Sequence, residues 1–334
     1  MRVALDATPL TLSSGGLRRY TFELSRALAE EFPGDEFLLA CDRPFPMPPP
    51  RVNLCALPAP RSALERRWWS WGLNRALARE RVDVFHGTNF EVPYWPARPS
   101  VLTLHDLSPW KEDVRPPLAG RVRRRTPLLI RLRIATMLIV PTEAVRREAR
   151  ARFRIHPDRI VAVPEAASAV FRPVKTSPAA PYFLHVGADT PRKNVATIVE
   201  AWREVRKHHA VDLELASGAV DDARLAELYS GALAFLYPSL YEGFGLPLVE
   251  AMQCGAAVIA SRDPAVMEVC GGAAVHAGAR DTRAWVEAMT AAIERPEWLA
   301  QQRARSLERA RDFSWPRTAR RTREVYDEAR RRFA

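Results

Sequence analysis

YPSLYEGFGLPLVEAMQCG, running from Tyr237 to Gly255, is the segment from which the architecture of the chain follows. The apolar run Gly231–Tyr237 (GALAFLY) just before it fits a buried parallel strand, which Pro238 and Ser239 end because proline lacks a ladder donor. Glu242, Gly243, Phe244 and Gly245 form a loop, and Pro247 suits the first position of a helix. Leu248, Val249, Ala251 and Met252 then supply that helix's core face up to Gly255. In a strand, glycine loop, helix unit, the first helical amides lack partners and the macrodipole is positive. Glycines let the backbone approach a ligand closely, so the loop is a seat for a phosphate or for sugar hydroxyls. Glu242 stands at its tip and Glu250 eight residues on, in the first helical turns, so both carboxylates can face the mouth of the loop and accept hydroxyl hydrogen bonds. Taken singly, Glu250 reads as a complement to the helix dipole and Glu242 as a solvated turn residue.

The same unit recurs upstream. Tyr182–Val186 (YFLHV) is a strand and Gly187–Asn194 (GADTPRKN) its loop, where Arg192, a bidentate donor, and Lys193, a point charge, suit a diphosphate. The plainer reading is two exposed cations at a loop tip. At the N-terminus, Arg2–Asp6 is a strand and Gly15-Gly16 precede a helix with apolar Leu17, Tyr20, Leu24 and Leu28. Val82–His86 and Val101–His105 are apolar runs ending in histidine, and parallel strands present functional groups at their carboxyl ends. His105 either binds substrate or pairs with Asp106 or a carbonyl. Further strands are expected at Phe37–Cys41, Ala135–Val140, Ile160–Pro164, Asp212–Ala216 and Ala256–Ala260, with helices from Thr142, Asp263 and Pro316. Strands alternating with helices predict parallel α/β sheets.

At 334 residues the chain exceeds one core, so two domains are expected, and its 47% apolar content is ample for burial. No apolar run reaches a membrane span, and MRVALDATPL has no leader character, which predicts a cytoplasmic protein. Cys41, Cys55, Cys254 and Cys270 lack metal-ligand spacing and fit reduced thiols. The formal charge of +11 is uneven: residues 1–173 hold 28 Lys+Arg against 18 Asp+Glu, the remainder 22 against 21. A basic N-terminal half attracts phosphorylated substrates or anionic headgroups. Two basic runs stand out, a helix candidate at residues 61–79 with Leu64, Trp68, Trp71 and Leu73 near one face, and Arg115–Arg133. Each fits a membrane-surface or lipid-acceptor site, while ordinary core packing also accounts for the tryptophans. No nucleic-acid partner is expected, since such a partner leaves the glutamate loop unexplained.

The string EGFGLPLVEAMQCG resembles, almost letter for letter, the E-x7-E segment of a large family of retaining, nucleotide-sugar-dependent glycosyltransferases of group 1, many of them mannosyltransferases. The resemblance implies the GT-B fold, with two Rossmann-like domains whose parallel sheets face a central cleft and a C-terminal helix that crosses back to the first domain. It places an acceptor-binding domain at 1–170, a hinge at 171–181, a nucleotide-sugar domain at 182–315 and the crossing helix at 316–334. His105 and Glu242 would be catalytic, with histidine touching the donor sugar. Donor binding would fall to Gly16, Arg192, Lys193, Gly243, Phe244, Gly245, Leu246 and Glu250, with Glu242 and the Gly243–Leu246 amides on sugar hydroxyls and Glu250 on the ribose. His86, Thr88 and Asn89 match a cleft segment of less defined role. Relatives often carry arginine after the first glycine of the upstream loop, where this chain has Ala188, and glycine near Ala166. After Asp212–Ala216 roughly thirty residues of the usual domain are missing, the part that helps hold the nucleotide base.

The expected activity is a retaining transfer of a sugar, mannose from GDP-mannose by preference, from a GDP- or UDP-linked donor to a glycan or lipid-linked hydroxyl. No D-x-D is present for a divalent cation, so no metal and no cofactor is expected; Arg192 and Lys193 would carry the diphosphate. Peripheral contact with the inner face of an anionic membrane would run through the basic N-terminal domain. A phosphorylase lacks a context for a pyridoxal-bearing lysine, and a dehydrogenase lacks G-x-G-x-x-G after either opening strand. The competing reading is a non-catalytic GT-B scaffold that has lost part of its base pocket.

Overall fold

The computed structural model describes residues 1–49, 51–60, 62, 65–116, 119–218 and 220–333. The chain forms two compact units, one of residues 1–110, 116–165 and 315–334, the other of residues 111–115 and 166–314.

The first unit is built on a parallel seven-stranded sheet. Its strands are β1 (Arg2–Asp6), β2 (Glu36–Ala40), β3 (Leu54–Ala56), β4 (Val84–Gly87), β5 (Ser100–Thr103), β6 (Met137–Val140) and β7 (Ile160–Ala162). They lie in the order β3-β2-β1-β4-β5-β6-β7, every pair parallel, with Leu5 of β1 opposite Leu39 on one side and His86 on the other. The near-continuous burial of β4, β5 and β6 is what a parallel sheet covered on both faces requires. The order reverses between β1 and β4, and such a switch point opens a crevice beyond the carboxyl ends of the strands.

Helix α1 (Gly16–Glu31) follows β1, and Gly15 precedes it at φ +109°, a conformation that glycine adopts without strain. α2 (Leu73–Arg79) is shorter than the expected helix over residues 61–79: Trp68–Gly72 forms a π turn instead, and Leu64 lies outside the described residues, as do Arg61 and Ala63. Trp68 is buried, whereas Trp71 is half exposed beside Trp95 at 6.1 Å between rings, so core packing accounts for only part of the cluster. The second basic run becomes α3 (Gly120–Arg131). Pro127 inside it cannot donate to the Arg123 carbonyl one turn back, and that carbonyl accepts from Trp110 Nε1 at 3.2 Å, which is how the helix tolerates its proline. Helix α4 (Glu143–Phe153) begins as expected, with Thr142 Oγ1 accepting from the Val145 amide.

The second unit holds a parallel five-stranded sheet of β8 (Tyr182–Val186), β9 (Asp212–Ala216), β10 (Ala234–Tyr237), β11 (Ala257–Ser261) and β12 (Ala274–Ala277), ordered β12-β11-β10-β8-β9. Its helices are α5 (Val195–Val205), α6 (Asp222–Gly231), α7 (Leu246–Gln253), α8 (Pro264–Cys270), α9 (Thr282–Glu294) and α10 (Pro296–Ala310). Fully buried Trp285 anchors the core with Phe183, Ile198, Leu236 and Ile259, and its Nε1 donates to the Gly278 carbonyl. The next strand after β9 lies on the far side of β8, which makes β9 a sheet edge with Leu215 46% exposed. This order too reverses, between β8 and β10.

The last helix, α11 (Trp315–Phe333), belongs to the first unit. Thr318 Oγ1 donates to the Pro164 carbonyl, and Arg323 pairs with Asp35, which also holds the N-terminal ammonium. Its buried Tyr326 hydroxyl lies 2.7 Å from His86 Nδ1. His86 Nε2 in turn lies 2.7 Å from Thr103 Oγ1, which is 3.0 Å from Tyr20 of α1. Burial holds the His86 imidazole neutral, with its pKa lowered to about 3, so this histidine is a structural link between β4, β5 and α11.

Candidate functional site

At the switch point of the second sheet, the loops after β8 and β10 meet. The β8 loop ends in a tight turn at Pro191–Lys193, and Asn194 takes the left-handed conformation (φ +53°) that starts α5. Its side-chain amide donates to the carbonyls of Pro238 and Ala279, and the Leu240 amide donates to the Arg192 carbonyl, so one side-chain and one backbone hydrogen bond tie the two loops together. The β10 loop ends at Gly245, with φ +93°, and α7 opens at Leu246 with Pro247 second, one residue earlier than the sequence suggests. A Cβ on Gly245 would lie 2.8 Å from Leu248 Cδ1 and 3.3 Å from the Tyr237 hydroxyl. Gly245→Ala is therefore expected to cost about 1–3 kcal/mol in urea unfolding and to lower turnover by displacing the Glu242 loop. Full activity in that variant would show that the loop conformation does not matter.

Between the loops sits an ion cluster. Glu242 receives Lys193 Nζ on one oxygen and Arg192 on the other, each at 2.8 Å. Arg192 also donates to the Tyr241 carbonyl, and Lys193 to the Tyr237 hydroxyl at 3.0 Å, with its ammonium 4.8 Å from that ring. Glu242 is only 6% exposed. Burial pushes its pKa up, yet Lys193 and Arg192 outweigh it and bring the carboxyl down to about 2. Neither the exposed-cation nor the solvated-turn reading of these residues survives, and Glu242 is not at an open mouth. Glu250 is also buried, 3% exposed, with the Tyr229 hydroxyl of α6 donating to it at 3.1 Å, so its place is within the helix packing rather than at the loop's mouth. Phe244 packs edge-on against Phe313 and offers its backbone alone to the loop.

Three residues support the cluster without having been read from the sequence as part of a site. Asp263, the cap of α8, accepts from the Ala265 and Val266 amides, and the Glu242 backbone is a further partner; burial still raises its pKa to about 6. His185 is buried in β8 with Nδ1 on the Leu236 carbonyl and Nε2 without a partner. A Cβ on Gly187 would lie 3.6 Å from that Nε2 and 3.8 Å from Lys193 Cε, which puts the free nitrogen beside the cationic loop. Lys111, from the short 111–115 segment, holds its ammonium 4.3 Å from the Tyr241 ring centre. A histidine in an apolar strand and a lysine far off in sequence carry no local signal.

In the first unit, His105 follows β5 with Nε2 2.7 Å from the Thr88 carbonyl and Nδ1 3.3 Å from Glu165, against the Tyr20 ring. Asp106 is not its partner; it accepts from the amide and hydroxyl of Ser108. Gly16 is exposed at the start of α1. Among the described residues no group of His, Cys, Asp and Glu is arranged to hold a metal ion, and no helix is long and apolar enough to cross a membrane.

Comparisons with known proteins agree with this architecture. Residues 14–168 match the model of glycosyltransferase family 4, and residues 215–313 that of glycosyl transferases group 1. The chain is similar to O-antigen chain mannosyltransferase B of Escherichia coli, 30% identical over 292 residues that cover 75% of each protein. Among solved structures it resembles sucrose-phosphate synthase from Thermosynechococcus elongatus, with a TM-score of 0.78 at 19% identity over 98% of both chains. It also resembles Anabaena Alr3699/HepE in complex with UDP-glucose, with a TM-score of 0.70 at 13% identity over 98% and 99%. From the extent of the mannosyltransferase match and the two parallel sheets, the chain belongs to the group 1 glycosyltransferases of the GT-B fold, enzymes that use nucleotide sugars.

Proposed function

We propose that the protein is a retaining, metal-independent hexosyltransferase that moves mannose, by preference from GDP-mannose, to a glycan or lipid-linked acceptor hydroxyl. The observation that carries this reading is the Lys193–Arg192–Glu242 cluster between the β8 and β10 loops. Two cations held beside a helix start supply charge for a donor diphosphate, and Glu242 is an ionised acceptor for sugar hydroxyls. Without donor, Glu242 neutralises the cations internally; a bound diphosphate would take over that charge and release the carboxylate toward the sugar. Lys193 and Arg192 then do the work that a divalent ion does elsewhere, and no protein nucleophile is needed if the leaving phosphate deprotonates the acceptor. Glu250, presented with Tyr229, is assigned to the ribose, the Gly243–Leu246 backbone to the sugar, and His105 and Gly16 to substrate from the first unit. The mannose preference rests on the similarity to O-antigen chain mannosyltransferase B. A cytoplasmic location, with the basic first unit against an anionic membrane, completes the proposal.

Isothermal titration of GDP, UDP and their sugars tests the donor site, and product analysis by NMR tests the anomeric outcome. Binding of GDP-mannose, transfer undiminished by EDTA and an α-linked product from the α-linked donor are expected. If no nucleotide binds, or if chelation stops transfer, the assigned roles of Lys193 and Arg192 are wrong.

A further inference from the structure

His185 occupies a place in the second unit that core packing does not explain. It is the fourth residue of β8, 1% exposed, and its Nδ1 lies 2.9 Å from the Leu236 carbonyl of β10. A carbonyl oxygen only accepts, so Nδ1 carries the hydrogen and Nε2 keeps a bare lone pair. That lone pair is buried without a hydrogen-bond partner, a loss that an apolar aromatic ring in the same space would not incur. Nε2 lies beside the bare Cα of Gly187. A Cβ there would be 3.6 Å from Nε2 and 3.8 Å from Lys193 Cε, and, chain neighbours aside, no other heavy atom of the described residues comes within 4 Å. The missing side chain thus leaves a gap between the buried nitrogen and the lysine stem, at the start of the cationic loop. The charged groups facing the imidazole are Lys193 and Asp189 of its own loop and Glu242 of the β10 loop. Burial holds its pKa below the usual histidine range and Lys193 adds to that, against the Leu236 bond and the two carboxylates. An anion seated on Lys193 reverses the sign of the field at this ring.

We propose that His185 is a third cationic ligand of the donor diphosphate, taking a proton from solvent onto Nε2 as the nucleotide sugar binds and donating it to a phosphate oxygen. The role rests on the reading of Arg192 and Lys193 as the diphosphate site. No covalent bond of the donor changes in this step: Nε2 gains a proton from water or buffer on binding and returns it when the nucleotide leaves. Nδ1 keeps its hydrogen throughout, so the Leu236 bond orients the ring in both states. The free protein thereby avoids one more buried positive charge next to Lys193, whereas in the complex that charge has an anion to pair with and makes a charge-assisted hydrogen bond. Donor affinity is therefore linked to pH through a residue that the free protein holds neutral.

Isothermal titration of the full chain with GDP-mannose and with UDP-glucose, repeated in buffers of different ionisation enthalpy, counts the protons taken up on binding. A nucleotide sugar is the probe because its diphosphate diester does not itself titrate near neutral pH. The wild type is expected to take up about half a proton or more per bound donor at pH 7, and to bind about tenfold more tightly at pH 6 than at pH 8. His185→Asn puts an amide where Nδ1 donates and removes Nε2. In that variant the uptake vanishes, the pH profile flattens and affinity at pH 6 falls about tenfold. Nitrogen NMR of wild-type protein labelled in its histidine rings reads the same proton without a substitution: the His185 ring passes from the Nδ1–H tautomer to imidazolium as donor is added. Donor binding with a ring that stays neutral overturns the proposal. Proton uptake that His185→Asn retains does so too, and assigns the proton to Asp263, whose pKa is raised to about 6. If neither nucleotide sugar binds the wild type, the donor reading fails and the role of His185 with it; binding without proton uptake removes the role of His185 alone.

Discussion

Glu242→Ala is expected to lower transfer by about two to three orders of magnitude and to destabilise the protein by about 3 kcal/mol at neutral pH. The first figure is the scale for losing one preorganised electrostatic group that touches the reacting sugar. The second follows from the carboxyl's pKa, brought from 4.5 to about 2 once Lys193 and Arg192 outweigh burial. At about 1.4 kcal/mol per pH unit, that difference amounts to about 3 kcal/mol. Breaking a buried ion pair typically costs about 3–5 kcal/mol, and the lower end applies because both cations retain some solvent contact. The sign is fixed by linkage. A carboxyl whose folded pKa is depressed contributes stability that is complete above about 4.5 and is lost as pH falls toward about 2. Urea unfolding of wild type and variant should therefore run parallel from pH 8 to pH 5 and converge in acid. Lys193→Ala should match the loss of transfer and weaken nucleotide binding as well, since it removes phosphate charge directly. Undiminished turnover in Glu242→Ala, with the stability loss present, would make the cluster a structural clasp only.

How that cluster arises also shows what a linear pattern can carry. Val186 and Tyr237 end their strands where the apolar runs stop, and Gly245 and Pro247 mark the following helix to within one residue, because glycine and proline act on their own backbone. The charge pairing is different in kind. Lys193 and Glu242 are 49 residues apart, and only the adjacency of β8 and β10 brings them together. Residue type therefore singled out two cations and a carboxylate that the fold brings into one cluster, while giving no sign that they satisfy one another. His105 shows the same limit, since its partners Thr88 and Glu165 come from other loops. The three-residue β3 and the proline-bearing α3 were not legible at all. β3 is too short for a period to register, and α3 depends on a tryptophan from elsewhere to complete its ladder.

Asp6→Asn should have the opposite effect on stability, and a pH dependence of opposite sign. Asp6 ends β1, is 2% exposed, and its Oδ1 accepts from the Thr8 amide at 2.9 Å, a bond that asparagine Oδ1 can keep. Burial, with small additions from Glu91 and Asp42, raises its pKa from 3.8 to about 7, since the Thr8 bonds compensate only in part. A group whose folded pKa lies above its unfolded one favours the native state fully below about pH 3.8, and that advantage is lost as pH rises through about 7. Relative to the wild type, Asp6→Asn should gain stability over that window, reaching about 2–4 kcal/mol at pH 8 and vanishing near pH 4. Denaturant midpoints at the two pH values decide the matter, and an equal offset at both would show that Asp6 is not neutralised by burial.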